Sequence, residues 1–158
     1  MFDERLKAWD MLDAQEETGP VTLLSGDAPA RLLADARRIA MIGASPNPIR
    51  PSNGVMRYLI RQGFQVVPIN PRVAEVLGEP AYATLEDAVA ATGPFDIVDV
   101  FRAPEHTPDV ARSAVATGAG ALWLQLGVVN WEAAQIAADG GLAVVMDRCT
   151  AIEHRRIG

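Results

Sequence analysis

Arg38-Ile39-Ala40-Met41-Ile42-Gly43-Ala44-Ser45-Pro46-Asn47-Pro48-Ile49-Arg50-Pro51-Ser52-Asn53-Gly54 decides how this chain folds. It begins with a short apolar run, too continuous to alternate, which predicts a strand covered on both faces, here over Arg38-Gly43. Gly43 permits a tight turn, and the loop that follows carries three prolines before a helical pattern begins. That helix is predicted over Asn53-Gln62: Val55 with Leu59 and Met56 with Ile60 form i,i+4 pairs toward the sheet, while Arg57, Arg61 and Gln62 face water. Gly63 supplies a left-handed stop. A buried strand, a glycine turn and an amphipathic helix make the first half of a βαβ unit.

The same alternation continues to residue 146. Strands are expected at Gln65-Ile69, Asp96-Phe101, Ala121-Leu126 and Leu142-Met146, and helices at Leu85-Ala91, Thr107-Thr117 and Trp131-Asp139. The fold class is therefore α/β: a three-layer, doubly wound domain around a five-stranded parallel sheet. Right-handed crossovers most simply give the strand order 3-2-1-4-5. Upstream, Leu6, Trp9 and Leu12 recur at helical spacing over residues 3–17, and a short helix is predicted to follow Asp27 as N-cap with Pro29 just inside. Residues 1–29 read as an N-terminal helical extension and residues 30–158 as the domain. The tail from Asp147 to Gly158 is polar and shows no clear pattern.

Composition narrows the function. With 49% hydrophobic and 22% charged residues in 158, one globular core is expected. No run approaches the roughly 18 apolar residues of a membrane span, and the start lacks the layout of a signal peptide, so a cytoplasmic protein is expected. One cysteine, Cys149, excludes an internal disulfide, and with two scattered histidines it offers no metal spacing. A net charge of −6 argues against nucleic acid or an anionic membrane as partner. An anionic small ligand would need a local cluster of cations.

In a doubly wound sheet ligands bind beyond the carboxyl ends of the strands, where the strand order reverses. The loop after the first strand lies there and has the features of a pyrophosphate cradle. Gly43, Ala44, Ser45 and Pro46 form the turn, Arg50 brings a charge, and Ser52, Asn53 and Gly54 open a helix whose N–H groups favour an anion. The dinucleotide fingerprint G-x-G-x-x-G is not met, since Ser45 and Pro48 stand at its second and third glycine positions. The second strand also ends in Asn70-Pro71-Arg72, without the acid that holds ribose hydroxyls. An arginine there suits a phosphate on the ribose, as in NADP or the 3′-phosphorylated adenosine of coenzyme A. Phe101-Arg102 and Gln125 end the third and fourth strands at the same edge. Trp123 reads as packing, His106 as a surface residue, His154 as a solvated tail residue and Cys149 as an inert small side chain.

Ile42-Gly43-Ala44-Ser45-Pro46-Asn47-Pro48 with Arg50-Pro51-Ser52, then Val67-Pro68-Ile69-Asn70-Pro71, Val100-Phe101-Arg102, Trp123-Leu124-Gln125-Leu126-Gly127 and Met146-Asp147-Arg148-Cys149 resemble the small stand-alone CoA-binding proteins. That family is similar to the CoA-binding domain of the succinyl-CoA synthetase α subunit, and the resemblance spans about residues 30 to 154. It implies a Rossmann-like CoA-binding domain in which the Gly43–Gly54 loop meets the CoA phosphates. Asn70, Pro71 and Arg72 would lie near the adenosine, and Phe101 and Arg102 would line the same crevice. The synthetase lysine near the end of strand two has no counterpart, and Arg72 is the nearest cation.

The leading expectation is a non-catalytic module that binds coenzyme A or an acyl-CoA, as a monomer or small homo-oligomer, to sequester, sense or present it to a protein partner. No nucleophile and base stand at a clear catalytic spacing, and no room exists for a phosphohistidine or ATP-grasp domain. Two readings stay beside it: an NAD(P)-binding oxidoreductase or redox sensor in the same crevice, and a subunit completed by a partner that brings the catalytic groups.

Overall fold

The structure, a computed structural model, describes residues 21–157. The helix expected over residues 3–17 lies outside the described residues. In chain order the elements are α1 (Ala28–Asp35), β1 (Arg38–Ile42), α2 (Pro51–Arg61), β2 (Gln65–Ile69), β3 (Glu75–Val76), β4 (Glu79–Pro80), α3 (Leu85–Thr92), β5 (Ile97–Val100), α4 (Thr107–Ala116), β6 (Ala121–Leu124), α5 (Trp131–Asp139), β7 (Ala143–Val145) and α6 (Thr150–Arg155). A 3-10 turn, Pro104–His106, leads into α4.

Five strands form one parallel sheet in the order β2-β1-β5-β6-β7. Period-two alternation splits the core into two layers. Ile39 and Met41 of β1, Ile97 of β5 and Trp123 of β6 pack against Leu33 of α1 and Met56 and Leu59 of α2. Ala40, Ile42, Val98, Val100 and Leu122 pack against α3, α4 and α5. Alanines dominate that second contact, with Ala111, Ala114, Ala133, Ala134 and Ala137 all fully buried, so these helices lie close to the sheet. Helices thus cover both faces, as expected for a doubly wound domain. None of the described helices is long and apolar enough to cross a membrane.

The strand order differs from the expected 3-2-1-4-5: counting the five strands along the chain, it is 2-1-3-4-5. The reason lies in Pro68, which lacks a donor and is tolerated in a strand only at an edge. Pro68 pairs with Met41 on one side, and on the other its carbonyl accepts only from the Tyr82 N–H at 3.1 Å. Tyr82 and Asn70 close the remaining edge through an isolated bridge and a 2.8 Å bond. β5, buried at all four positions, takes a central place between β1 and β6 instead. The order still reverses at β1, now against β5.

Other departures have local causes. α2 begins at Pro51 rather than Asn53, because proline suits the first helical position. Asp27 stands at the N-cap of α1, but its carboxylate makes no cap bond and pairs with Arg156 at 3.0 Å. The tail, patternless in sequence, forms α6 under tertiary control. The buried Glu153 meets Arg148 at 3.3 Å and Arg156 at 3.0 Å, and both arginines also reach the Gly26 carbonyl. His154 is not a solvated residue: its Nδ1 hydrogen-bonds the Tyr58 hydroxyl at 2.7 Å and its ring meets the edge of Phe64.

Candidate functional site

The carboxyl ends of β1, β2, β5 and β6 open into a crevice of about 1080 Å³. That is at the upper end of the roughly 300–1,000 Å³ of small-ligand sites. It is built outward from Gly43, whose N–H donates to the Ile69 carbonyl at 3.0 Å while the Phe101 N–H donates to the Ile42 carbonyl at 2.8 Å. These bonds lace the three strand ends together. Gly43 holds φ +83°, and a Cβ there would stand 2.3 Å from the Phe101 carbonyl oxygen. Only glycine fits.

The loop beyond is held by its own side chains. The Ser45 N–H donates to Ser52 Oγ at 3.1 Å, the Asn47 N–H to Ser45 Oγ at 3.1 Å and the Ile49 N–H to Asn47 Oδ1 at 3.0 Å. Asn53 donates to the Ser45 carbonyl at 3.0 Å, and Asn70 donates to the Ala44 carbonyl at 2.8 Å while accepting from the Arg72 N–H at 2.8 Å. The loop is therefore ordered before any ligand arrives, which lowers the entropic cost of binding. No side chain caps the N-terminus of α2. Its positive dipole end faces the loop, with Pro51 lacking an N–H and the Asn53 N–H donated to the Arg50 carbonyl at 3.0 Å.

Three arginines from three different loops line the crevice: Arg50 before α2, Arg72 after β2 and Arg102 after β5. All three are exposed, and among the described residues none of them pairs with a carboxylate. Two acids share the crevice, Glu86 and Asp109, of which Asp109 is held by Arg112 at 2.6 Å. A chain of net charge −6 thus gathers unpaired cations at one sheet edge.

Of the residues expected from sequence, Gly43, Ser45, Arg50, Ser52, Asn70, Pro71, Arg72, Phe101, Arg102 and Gln125 all line the crevice. Four do not. Ala44 is buried in the core and offers its carbonyl to Asn70. Asn53 is buried, with its amide spent on Ser45 and Arg57. Pro46 and Gly54 are exposed outside the lining, and a Cβ on Gly54 would meet nothing within 4 Å.

Sequence reasoning missed the buried support behind Gln125. Asp99 is fully buried on β5; Gln125 donates from Nε2 to Asp99 Oδ1 and to Thr150 Oγ1 at 3.1 Å, and Thr150 donates to Asp99 Oδ2 at 3.1 Å. Burial pushes the Asp99 carboxyl up to about 7, against the opposing pull of the bonds from Gln125 and Thr150. The signal was an acid inside the apolar strand Ile97-Val98-Asp99-Val100. The far wall consists of Leu126, Val128, Cys149 and Ile152, of which Val128 and Ile152 were missed; Leu126 and Ile152 are exposed apolar side chains at the rim.

A doubly wound, Rossmann-like domain with a preformed, arginine-ringed crevice at its switch point is the class that fold and site define. Within that class the chain belongs to the CoA binding domain family, whose model matches residues 37–155. It is 38% identical over 123 residues to the protein YneT of Bacillus subtilis (strain 168), covering 78% of this chain and 89% of YneT. A solved structure from Thermus thermophilus is 40% identical with TM-score 0.77, covering 84% of this chain and 99% of that one. Another from Pyrococcus horikoshii OT3 is 36% identical with TM-score 0.78, covering 84% and 92%.

Proposed function

We propose that the protein binds coenzyme A or an acyl-CoA in this crevice and performs no chemistry on it. The observation that carries the reading is the convergence of Arg50, Arg72 and Arg102, unpaired with any carboxylate among the described residues, around the uncapped N-terminus of α2. Such a set suits a polyphosphate better than a neutral ligand. In this reading the α2 N-terminus, Ser45 and Arg50 hold the pyrophosphate. Asn70, Pro71 and Arg72, at the end of β2, hold the adenosine and its 3′-phosphate. The pantetheine arm then runs over β5 and β6, past Phe101 and Arg102 to Gln125, with Leu126 and Ile152 offering an apolar wall. The two histidines sit poorly for a general base: His106 is exposed on the 3-10 turn and His154 is engaged by Tyr58.

Two measurements test it. CoA should raise the melting temperature well above any effect of NAD at equal concentration, because a ligand that binds only the folded state stabilises it by mass action. Stabilisation by NAD with none by CoA would overturn the reading. In calorimetric titration, Arg72→Ala should weaken CoA about tenfold and leave dephospho-CoA unchanged, since a charge-assisted hydrogen bond on an exposed site is worth about 1.5 kcal/mol. Arg61→Ala, on α2 outside the crevice, is the control. Equal loss for both ligands would move Arg72 off the 3′-phosphate.

A further inference from the structure

Along the sheet the lining of the crevice changes character. Its charged side chains, Arg50, Arg72, Glu86, Arg102 and Asp109, all stand on the loops after β1, β2 and β5 or on α3 and α4. The segments after β6 and β7 bring Gln125, Leu126, Val128, Cys149 and Ile152, none of them charged. Strand order is spatial order, at about 4.8 Å a step, so charge runs out over the last two strands of β2-β1-β5-β6-β7. Two charged groups could have ended that polarity and do not. Arg148 is bound to the Gly26 carbonyl and Glu153, Asp147 accepts from the Gly127 N–H at 2.7 Å, and neither lines the crevice. That last bond ties the loop after β6 to the loop after β7, and the Val128 N–H donates to the Gln125 carbonyl at 2.8 Å. The wall is therefore fixed while its side chains stay in water: Leu126 is 63% and Ile152 48% exposed. A fixed apolar surface left open at the uncharged end of a charged crevice marks a binding surface.

We infer that the ligand is an acyl-CoA whose acyl group is aliphatic and longer than acetyl, seated on Leu126, Val128 and Ile152. This rests on the CoA reading above and names the ligand class of the same site. The direction follows from the arginines. With the phosphates held at the ends of β1 and β2, the arm leaves them toward β5 and β6, and its sulfur end comes to the wall. A free thiol there leaves Leu126 and Ile152 wet. An aliphatic chain covers them and takes its own methylenes out of water, a gain that grows with each methylene. An acidic acyl group such as succinyl finds no cation on the β6 and β7 side, because Arg148 is committed to Glu153, so its carboxylate would lose water without gaining a partner.

Calorimetric titration of the full chain with acetyl-CoA, butyryl-CoA and hexanoyl-CoA tests it. Affinity should rise about twofold for each added methylene, roughly half the free-energy gain of full burial because the wall lies at the rim. Succinyl-CoA, with the same carbon count as butyryl-CoA, should bind more weakly than it. The double variant Leu126→Ser with Ile152→Ser should flatten the series; both side chains are exposed, so the fold survives the change. Val129→Ser, also exposed on the loop after β6 but outside the lining, should leave the slope intact. A flat series in the wild type, or a slope that survives the double variant, overturns the inference. So does a ligand-free dimer in sedimentation that the double variant dissociates, because a second copy of the chain would then cover the wall. The fragment 3′,5′-ADP separates the two readings: if neither it nor CoA binds, the CoA assignment falls and this inference with it, whereas binding of both with a flat series condemns only the acyl chain.

Discussion

Gly43→Ala is expected to destabilise the protein by about 3 kcal/mol and to abolish ligand binding. Two costs add. Holding φ +83° with a Cβ costs roughly 1–2 kcal/mol. The new methyl would also stand 2.3 Å from the Phe101 carbonyl oxygen and 3.2 Å from Arg102 Cδ, an overpacking cost of about 1–3 kcal/mol. The first obstacle is backbone, so relief requires β5 to move away from β1, and with it two crevice residues and the Phe101–Ile42 bond. Gly54→Ala is the internal contrast: it lies within α2 with open space around its Cβ, and should stabilise by about 0.5–1 kcal/mol. Urea unfolding of both variants checks the pair. A Gly43→Ala protein of wild-type stability and affinity would show that the β1 and β5 ends are not locked as described.

The second large effect concerns stability and pH. The Asp99 carboxyl is raised from its ordinary 3.8 to about 7 in the folded protein, so between those values the folded state holds a proton that the unfolded state has released. Below pH 4 both states are protonated and burial carries no ionic penalty. As pH rises toward 7 the contribution is lost, and above 7 the full cost of a buried carboxylate remains. Asn at this position carries no such dependence. The stability of Asp99→Asn relative to wild type should therefore improve by roughly 2 to 3 kcal/mol between pH 5 and pH 8, and level off above that. Denaturant melts at several pH values measure it. A flat difference would mean that Asp99 keeps its proton, or its charge, throughout, and a difference of opposite sign would mean that its hydrogen bonds outweigh burial.

Much of this was legible in the chain, for identifiable reasons. Fully buried parallel strands and amphipathic helices announce themselves through local periodicity, so Gln65–Ile69 and Trp131–Asp139 match their expected bounds and the remaining strands of the sheet differ by one or two residues at their ends. The crevice residues were legible where a loop directly follows a strand, as at Gly43, Asn70 and Phe101, because the fold class itself puts those loops at one edge. Pro68 also carried the strand order, since a residue without an N–H belongs at an edge, but crossover rules alone did not use that information.

What the sequence determined by itself, then, is everything set by neighbours along the chain: element types, the glycine turn after β1, the proline-shaped loop and the family resemblance. Tertiary structure decided what depends on partners distant in sequence. α6 has no local signal because its stability comes from Glu153 meeting Arg148 and Arg156 and from the Gly26 carbonyl, 122 residues away from Arg148. Ala44 and Asn53, expected in the crevice lining, are instead interior supports because their polar atoms found closer partners in Asn70, Ser45 and Arg57. Asp99 draws both of its partners from more than twenty residues downstream, at Gln125 and Thr150. Its unusual ionisation is a property of the folded interior, where burial removes water from a carboxylate that in the unfolded chain would be fully hydrated.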